Sequence, residues 1–225
     1  MPTRYAKRFD RDRDPILGTS VRGVNTEVAL RAGEPTTADA TAFASYEDMA
    51  AEGFFGKLFG SAAARILTEV YVRPGHDLSY ERTTFADLDG RAVGMLVSFT
   101  ATQHRESDDR VLRDAAGRRM IGLDIARLVG RRMFRFLDSI PGTDYYVLSL
   151  AVGDACRGQG VGRLLLDHAE QLGRDAGCSR LSLDVSVTND VAIQLYERVG
   201  MSIEAYSPRM LFMSRLRSCR MVKPL

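Results

Sequence analysis

Six residues, Arg157-Gly158-Gln159-Gly160-Val161-Gly162, join an apolar run, Tyr145–Val152, to a helix-like segment that begins near Val161. A strand, a glycine-rich turn and a helix start, in that order, make an anion site. The first N–H groups of a helix lack intrahelical partners, and the helix dipole favours negative charge beside them. Glycines let a phosphate approach the main chain closely. The stretch therefore points to a phosphate-bearing ligand. Two phosphate-loop readings fit poorly. A Walker-type loop ends in Gly-Lys-Ser/Thr, and this loop supplies neither the lysine nor the hydroxyl. A dinucleotide fingerprint needs a third glycine for close helix–strand packing. This chain has Arg163 there, although Asp184 stands at a suitable distance downstream.

A third reading fits. The spacing Arg157-x-x-Gly160-x-Gly162 resembles the acyl-CoA pyrophosphate loop of the GCN5-related N-acetyltransferase family. A second stretch resembles that family independently: Leu183-Asp184-Val185-Ser186-Val187-Thr188-Asn189, then Ala192, Leu195-Tyr196-Glu197 and Gly200-Met201. Met201 replaces the usual phenylalanine at an apolar packing position. The close likeness covers Tyr145–Tyr206.

The resemblance implies an α/β fold with a central mixed, mostly antiparallel sheet. Helices flank that sheet, and it splays at the cofactor wedge. It implies acetyl-CoA as co-substrate and no metal. Leu150, Ala151 and Val152 are then expected to hydrogen-bond the pantetheine arm as if it were a strand. The loop from Gly158 would cradle the pyrophosphate on the amides of Gln159, Gly160, Val161, Gly162 and Arg163. Arg157 and Arg163 would add charge. Asn189 would contact the cofactor, although a helix cap alone explains an asparagine there.

The implied reaction is acyl transfer from a thioester to a primary amine by direct attack, which needs a base or a proton path to water. Tyr196 occupies the position of the family's tyrosine proton donor. Asp184 lies twelve positions earlier, where related ribosomal-protein N-terminal acetyltransferases carry a glutamate base. One methylene shorter, it is expected to act through a water, or else to be a buried carboxylate paired with an arginine. Glu81, on a predicted hairpin, is the second candidate base. The Val152 N–H is a candidate oxyanion donor. The alternative function is a CoA-binding sensor or assembly module without catalysis.

Composition sets the frame for these residues. The chain has 225 residues, 45% of them hydrophobic. That suits one domain, 24–225, enlarged by a helical insertion at about 103–142 and preceded by a flexible arm, 1–23. A net charge of +2 demands neither nucleic acid nor a membrane as partner. The expected acceptor is a small-molecule amine or a peptide N-terminus, and a homodimer is compatible with the sequence. Cys156, Cys178 and Cys219 form neither a disulfide framework nor a metal cluster, which agrees with a reduced cytoplasm. The start of the sequence lacks the apolar core of a signal peptide, and no apolar run is long enough to span a bilayer.

The positioning elements can be read in order. Thr26–Arg31 reads as a strand. Thr36 or Thr37 caps a helix that runs to about Ala51. Asp89-Gly90 predicts a two-residue hairpin between Leu78–Leu88 and Arg91–Thr100. The insertion reads as two helices. In the second, Ile121, Ile125, Val129, Met133 and Leu137 form the inner stripe, and Arg127, Arg131 and Arg135 form an outer basic one. A helix over Val161–Asp175 stops at Gly177. Strands over Arg180–Val187, Met201–Tyr206 and Leu211–Val222 complete the sheet.

Overall fold

The computed structural model describes residues 6–8, 27–209 and 217–225. Its strands are β1 (Ala6–Arg8), β2 (Glu27–Ala32), β3 (Thr83–Leu88), β4 (Arg91–Thr100), β5 (Asp144–Val152), β6 (Arg180–Ser186), β7 (Ser202–Tyr206) and β8 (Ser218–Pro224). They form one sheet in the order β1-β2-β3-β4-β5-β6-β8-β7. Every neighbouring pair is antiparallel except β5 and β6. The helices are α1 (Thr37–Ala50), α2 (Phe54–Phe59), α3 (Ala63–Tyr71), α4 (Ala101–Arg105), α5 (Arg110–Ala116), α6 (Met120–Val129), α7 (Arg131–Leu137), α8 (Val161–Asp175) and α9 (Asp190–Arg198).

The sheet is covered on both faces. Helices α8 and α9 bury Leu164, Leu165 and Tyr196 against Leu96, Val147, Leu183 and Val185. On the opposite face α1 and α3 bury Phe43, Leu67 and Tyr71 against Phe85, Met95 and Val97. The position of α1 is fixed at its start. Thr36 caps it by accepting from the Asp39 N–H, and Asp39 takes two hydrogen bonds from Arg31 on β2, each 2.7 Å. At the hairpin both Asp89 and Gly90 have positive φ, 52° and 77°, as a type I′ turn requires.

Two features open the sheet at its centre. Strands β5 and β6 pair only from Asp144–Arg180 to Val147–Leu183. Beyond that point β6 stays with β8 as far as Ser186–Ser218, while β5 stays with β4. The divergence begins at a bulge. Val97 faces Ser149 and Ser98 faces Val147, so Leu148 has no opposite number. A bulge bends its strand and resets which face each later side chain takes. Val147 and Leu150 both pack into the α8-side core although they are three residues apart. Ser149 is thereby turned toward α1. The closed end of the wedge is clamped by Arg180, which donates to both oxygens of the fully buried Asp144 side chain at 2.9 and 3.0 Å.

Three expectations about elements need correction. The insertion holds four helices, and its long helix breaks at Gly130 into α6 and α7. A Cβ at Gly130 would stand 2.9 Å from the Ala126 carbonyl oxygen. The stripes of α6 are also exchanged. Ile121, Ile125 and Val129 are exposed, whereas Met120 and Leu123 are buried with Phe59, Ile66 and Val70. The helix carries two apolar stripes, and α3 selects the one that spacing alone did not favour. Arg127 follows the buried stripe and stacks over Phe134 at 6.0 Å. Residues 6–8 add an edge strand to β2 rather than belonging to an arm. The remainder of 1–23 lies outside the described residues. The predicted strand over Leu211–Val222 is seen from Ser218 onward, its earlier part lying largely outside them.

Candidate functional site

The loop after β5 is built as its glycines require. Gly158 and Gly160 take positive φ, 74° and 88°, which L side chains rarely adopt. Gly160 is the N-cap of α8 and offers no side chain to the first turn. The N–H groups of Val161, Gly162 and Arg163 therefore have no partner among the described residues. Gly162 is needed for space rather than for conformation. A Cβ there would meet Leu195 of α9 at 3.2 Å and Val152 of β5 at 3.7 Å. Glycine at this point lets α8, α9 and the end of β5 converge.

The two arginines are held loosely. Arg157 pairs with Asp154 at 2.8 Å and donates to the Val152 carbonyl at 3.2 Å. Arg163 stands 3.5 Å from Asp167. All four side chains are largely exposed, so these pairs contribute little and exchange readily for an incoming anion. Gln159 turns its amide to the Ala155 carbonyl at 2.8 Å, leaving its main-chain N–H on the loop.

The open edge of β5 continues from this loop. Gly153 N–H donates to Val93 at 2.9 Å. In an antiparallel ladder bonded and non-bonded pairs alternate, so Ala151 faces β4 with its main-chain groups, and Leu150 and Val152 turn theirs to the wedge. By this alternation Ala151, opposite Met95, lies in the ladder between the two edge-facing residues. Buried main-chain groups must be paired. Leu150 and Val152 supply the edge that an extended, amide-bearing ligand would complete.

The catalytic candidates are placed unequally. Tyr196 is buried in α9, burial pushes its phenol up to about 12, and its hydroxyl has no partner among the described residues. It stays protonated at neutral pH, as a proton donor must. The Asp184 carboxylate is held in a buried ion pair. Arg220 donates to both its oxygens, at 3.0 and 2.7 Å, and the Tyr146 hydroxyl donates at 3.0 Å. Burial pushes the Asp184 carboxyl up, and Arg220 and Tyr146 oppose that. The arginine-paired alternative is the one realised. Arg220 also donates to the carbonyls of Phe136 and Ser139 and lies 4.8 Å from the Phe136 ring centre, which ties the insertion to β8. Glu81 is displaced as well. It sits in a 3-10 turn before β3 and accepts the Gly75 N–H at 2.8 Å on the surface. Asn189 caps α9 by accepting from Ala192 and donates to Glu52 at 3.2 Å, so both ends of its amide are engaged.

Sequence reasoning missed Glu47. It lies in the last turn of α1, is 3% exposed, and accepts the Ser149 hydroxyl proton at 2.9 Å. Its other oxygen is sealed from solvent without a partner among the described residues. Burial pushes this carboxyl up to about 7, and the nearby Asp48 charge adds to the push. A signal existed. Glu47 falls on the buried stripe Ala40, Phe43, Ala44, where a charged residue has no packing reason to be. The same end of α1 touches the site elsewhere, through Met49 to Arg157 and through Glu52 to Asn189.

A mixed sheet opened between two parallel strands, with a glycine loop at the mouth of the opening, defines the acyl-CoA N-acyltransferase fold. A profile of the acetyltransferase (GNAT) family matches residues 65–201, more than half of the chain, and the chain belongs to that family. Two relatives are uncharacterized N-acetyltransferases. That of Bacillus subtilis (strain 168) is 32% identical over 27% of this chain and 38% of its own length. That of Methanocaldococcus jannaschii is 35% identical over 34% of this chain and 49% of its own length. The chain thus matches less than half of either relative. Among solved structures, an N-acetyltransferase from Staphylococcus aureus Mu50 superposes with a TM-score of 0.58 at 14% identity, covering 86% of this chain and 99% of that one. Ard1 from Thermoplasma volcanium gives 0.51 at 17% identity, covering 88% and 97%. At these identities the likeness is one of fold. Among the described residues no helix is long and apolar enough to cross a membrane, and no cluster of His, Cys, Asp and Glu is placed to hold a metal ion.

Proposed function

We propose that this protein transfers an acetyl group from acetyl-CoA to a primary amine, a small molecule or a peptide N-terminus, by direct attack. One observation carries the reading: the open edge of β5 at Leu150 and Val152 runs directly into amides at the start of α8 that have no partner among the described residues. An amide-bearing arm ending in a diphosphate needs that combination. Acetyl-CoA supplies the activated thioester. The amides of Val161, Gly162 and Arg163, with Arg157 beside them, hold the diphosphate. Leu150 and Val152 orient the arm, and an open-edge N–H stabilises the developing oxyanion. Tyr196 delivers the proton to the departing sulfur. Three free cysteines support a reduced compartment such as the cytoplasm.

Gly160→Glu is expected to weaken coenzyme A binding at least about tenfold, because it adds negative charge at a helix N-terminus and bulk at a left-handed position. Calorimetry with coenzyme A measures this, and unchanged affinity in a folded variant would refute the loop assignment. Tyr196→Phe is expected to lower kcat about tenfold with acetyl-CoA affinity preserved. The effect lies at the small end for acid catalysis because a thiolate is a far weaker base than an alkoxide and leaves more readily. Full activity would exclude the acid role.

The engagement of Asp184 and Glu81 by other groups favours a second reading, a CoA-binding module without catalysis. Thiol release from acetyl-CoA in the presence of a panel of primary amines decides between the two.

A further inference from the structure

With Asp184 and Glu81 occupied, the site as read from sequence lacks a proton acceptor, and the structure provides one on the opposite side of β5. We propose that Ser149 and Glu47 form a two-member relay that takes the proton from the attacking amine, Ser149 Oγ meeting the nitrogen and Glu47 standing behind it as the proton sink. This inference rests on the acetyl-transfer reading above.

Placement supports it first. Ser149 is the first residue after the bulge at Leu148 and lies two positions beyond Val147, where the pairing of β5 with β6 ends. The bulge turns Ser149 to the α1 side of the sheet, away from α8 and α9, which carry the cofactor loop and Tyr196. Acid and base thus stand on opposite faces of the opened sheet. That arrangement suits an amine attacking the carbonyl carbon from one side while the sulfur departs on the other. Ser149 is itself 6% exposed, so the amine would reach it through the opening between β5 and β6.

Hydrogen-bond direction supports it next. Ser149 donates its proton to Glu47, at 2.9 Å, so the hydroxyl oxygen retains lone pairs to accept an N–H. As the N–C bond forms and the C–S bond breaks, the amine proton passes to Ser149 Oγ and the Ser149 proton passes to Glu47. The sulfur takes its proton from Tyr196. Solvent later recovers the proton from Glu47 and restores that of Tyr196, so the sum is an amide and a free thiol.

The surroundings poise the carboxyl for this role. One Glu47 oxygen has no partner among the described residues, and no arginine, lysine or histidine pairs with it there. The cluster that α1 buries, Phe43, Leu67, Tyr71, Phe85, Met95 and Val97, brings no formal charge, and Asp48 on the same helix is the charge that reaches it. A carboxyl raised to about 7 is half ionised near neutrality, where a general base works best.

The test uses the full chain with acetyl-CoA and a panel of primary amines: amino acids, a polyamine, an aminoglycoside and short peptides. Glu47→Gln is expected to lower kcat about a hundredfold on the best acceptor and to abolish the acidic limb of the kcat–pH profile. Its calorimetric affinity for acetyl-CoA should be unchanged. Ser149→Ala should lower kcat with the same affinity retained, and Glu47→Asp should recover part of the loss. A readout without turnover accompanies these. Infrared titration of the ligand-free protein should show a carboxyl ionising near neutrality that disappears in Glu47→Gln. Parental kcat in Glu47→Gln, an acidic limb that survives it, or a Ser149→Ala variant with parental kcat overturns the relay. Failure of the parent reading looks different, since the unaltered protein would then release no thiol with any amine.

Discussion

Asp184→Ala is expected to destabilise the protein by about 3–5 kcal/mol, the usual cost of removing one member of a buried ion pair. The side chains of Asp184 and Arg220 are 4% and 5% exposed, and the carboxylate receives both guanidinium hydrogen bonds. Its removal leaves a buried cation without a counter-charge and the Tyr146 hydroxyl without its acceptor. Arg220 also holds the carbonyls of Phe136 and Ser139, so the insertion should loosen with it. Urea unfolding measures the loss as a lower midpoint at an unchanged slope. A variant within about 0.5 kcal/mol of the parent would mean that the pair does not support the fold. Replacing both partners, Asp184→Leu with Arg220→Met, should regain part of the stability, because an apolar pair needs no counter-charge, while the Tyr146 hydroxyl and the carbonyls of Phe136 and Ser139 still lose their partners. Asp184→Asn separates structure from catalysis. It keeps an acceptor for Tyr146, and its folded fraction should retain kcat, whereas a general base at this position would lose it.

How much of this was legible in the sequence depends on whether the information is local. The glycine loop was readable because positive φ at Gly158 and Gly160 and close packing at Gly162 are demands that only glycine meets, and those demands sit in consecutive residues. The Thr36 and Asn189 caps and the Asp89-Gly90 turn were readable for the same reason. The bulge at Leu148 was not, because it exists only in the register between β4 and β5. Without the bulge, strict alternation would place Ser149 on the face of Val147, and its meeting with Glu47, 102 positions away, has no local trace. Asp184 shows the converse. Its spacing to Tyr196 matched a catalytic pattern, but its partner Arg220 lies on a strand that pairs with β6 from far along the chain. Stripe assignment in α6 failed because the helix offers two apolar faces, and the choice belongs to α3.

Glu47 separates stability from chemistry in a way that pH reveals. Its carboxyl is raised from 4.5 to about 7 on folding, chiefly by burial. The folded state therefore holds the proton more tightly than the unfolded chain does. The stability contributed is complete below the unfolded value and is lost as pH rises through the folded one. At about 1.4 kcal/mol per pH unit the full loss is ~3 kcal/mol. Glu47→Gln cannot ionise and keeps an acceptor for Ser149, so it should avoid that loss. The variant is expected to match the parent near about pH 4 and to exceed it by ~2–3 kcal/mol near about pH 8. Other titrating groups, such as His104 beside Asp77, are common to both proteins and cancel in the difference. Urea midpoints taken across that range decide the matter, and two curves that run parallel would show that Glu47 does not ionise within it. A widening gap would mean that the native protein carries a buried charge at the expense of its own stability. A residue kept for packing alone gives no reason to tolerate such a cost at a position where glutamine fits, whereas a proton acceptor facing Ser149 does.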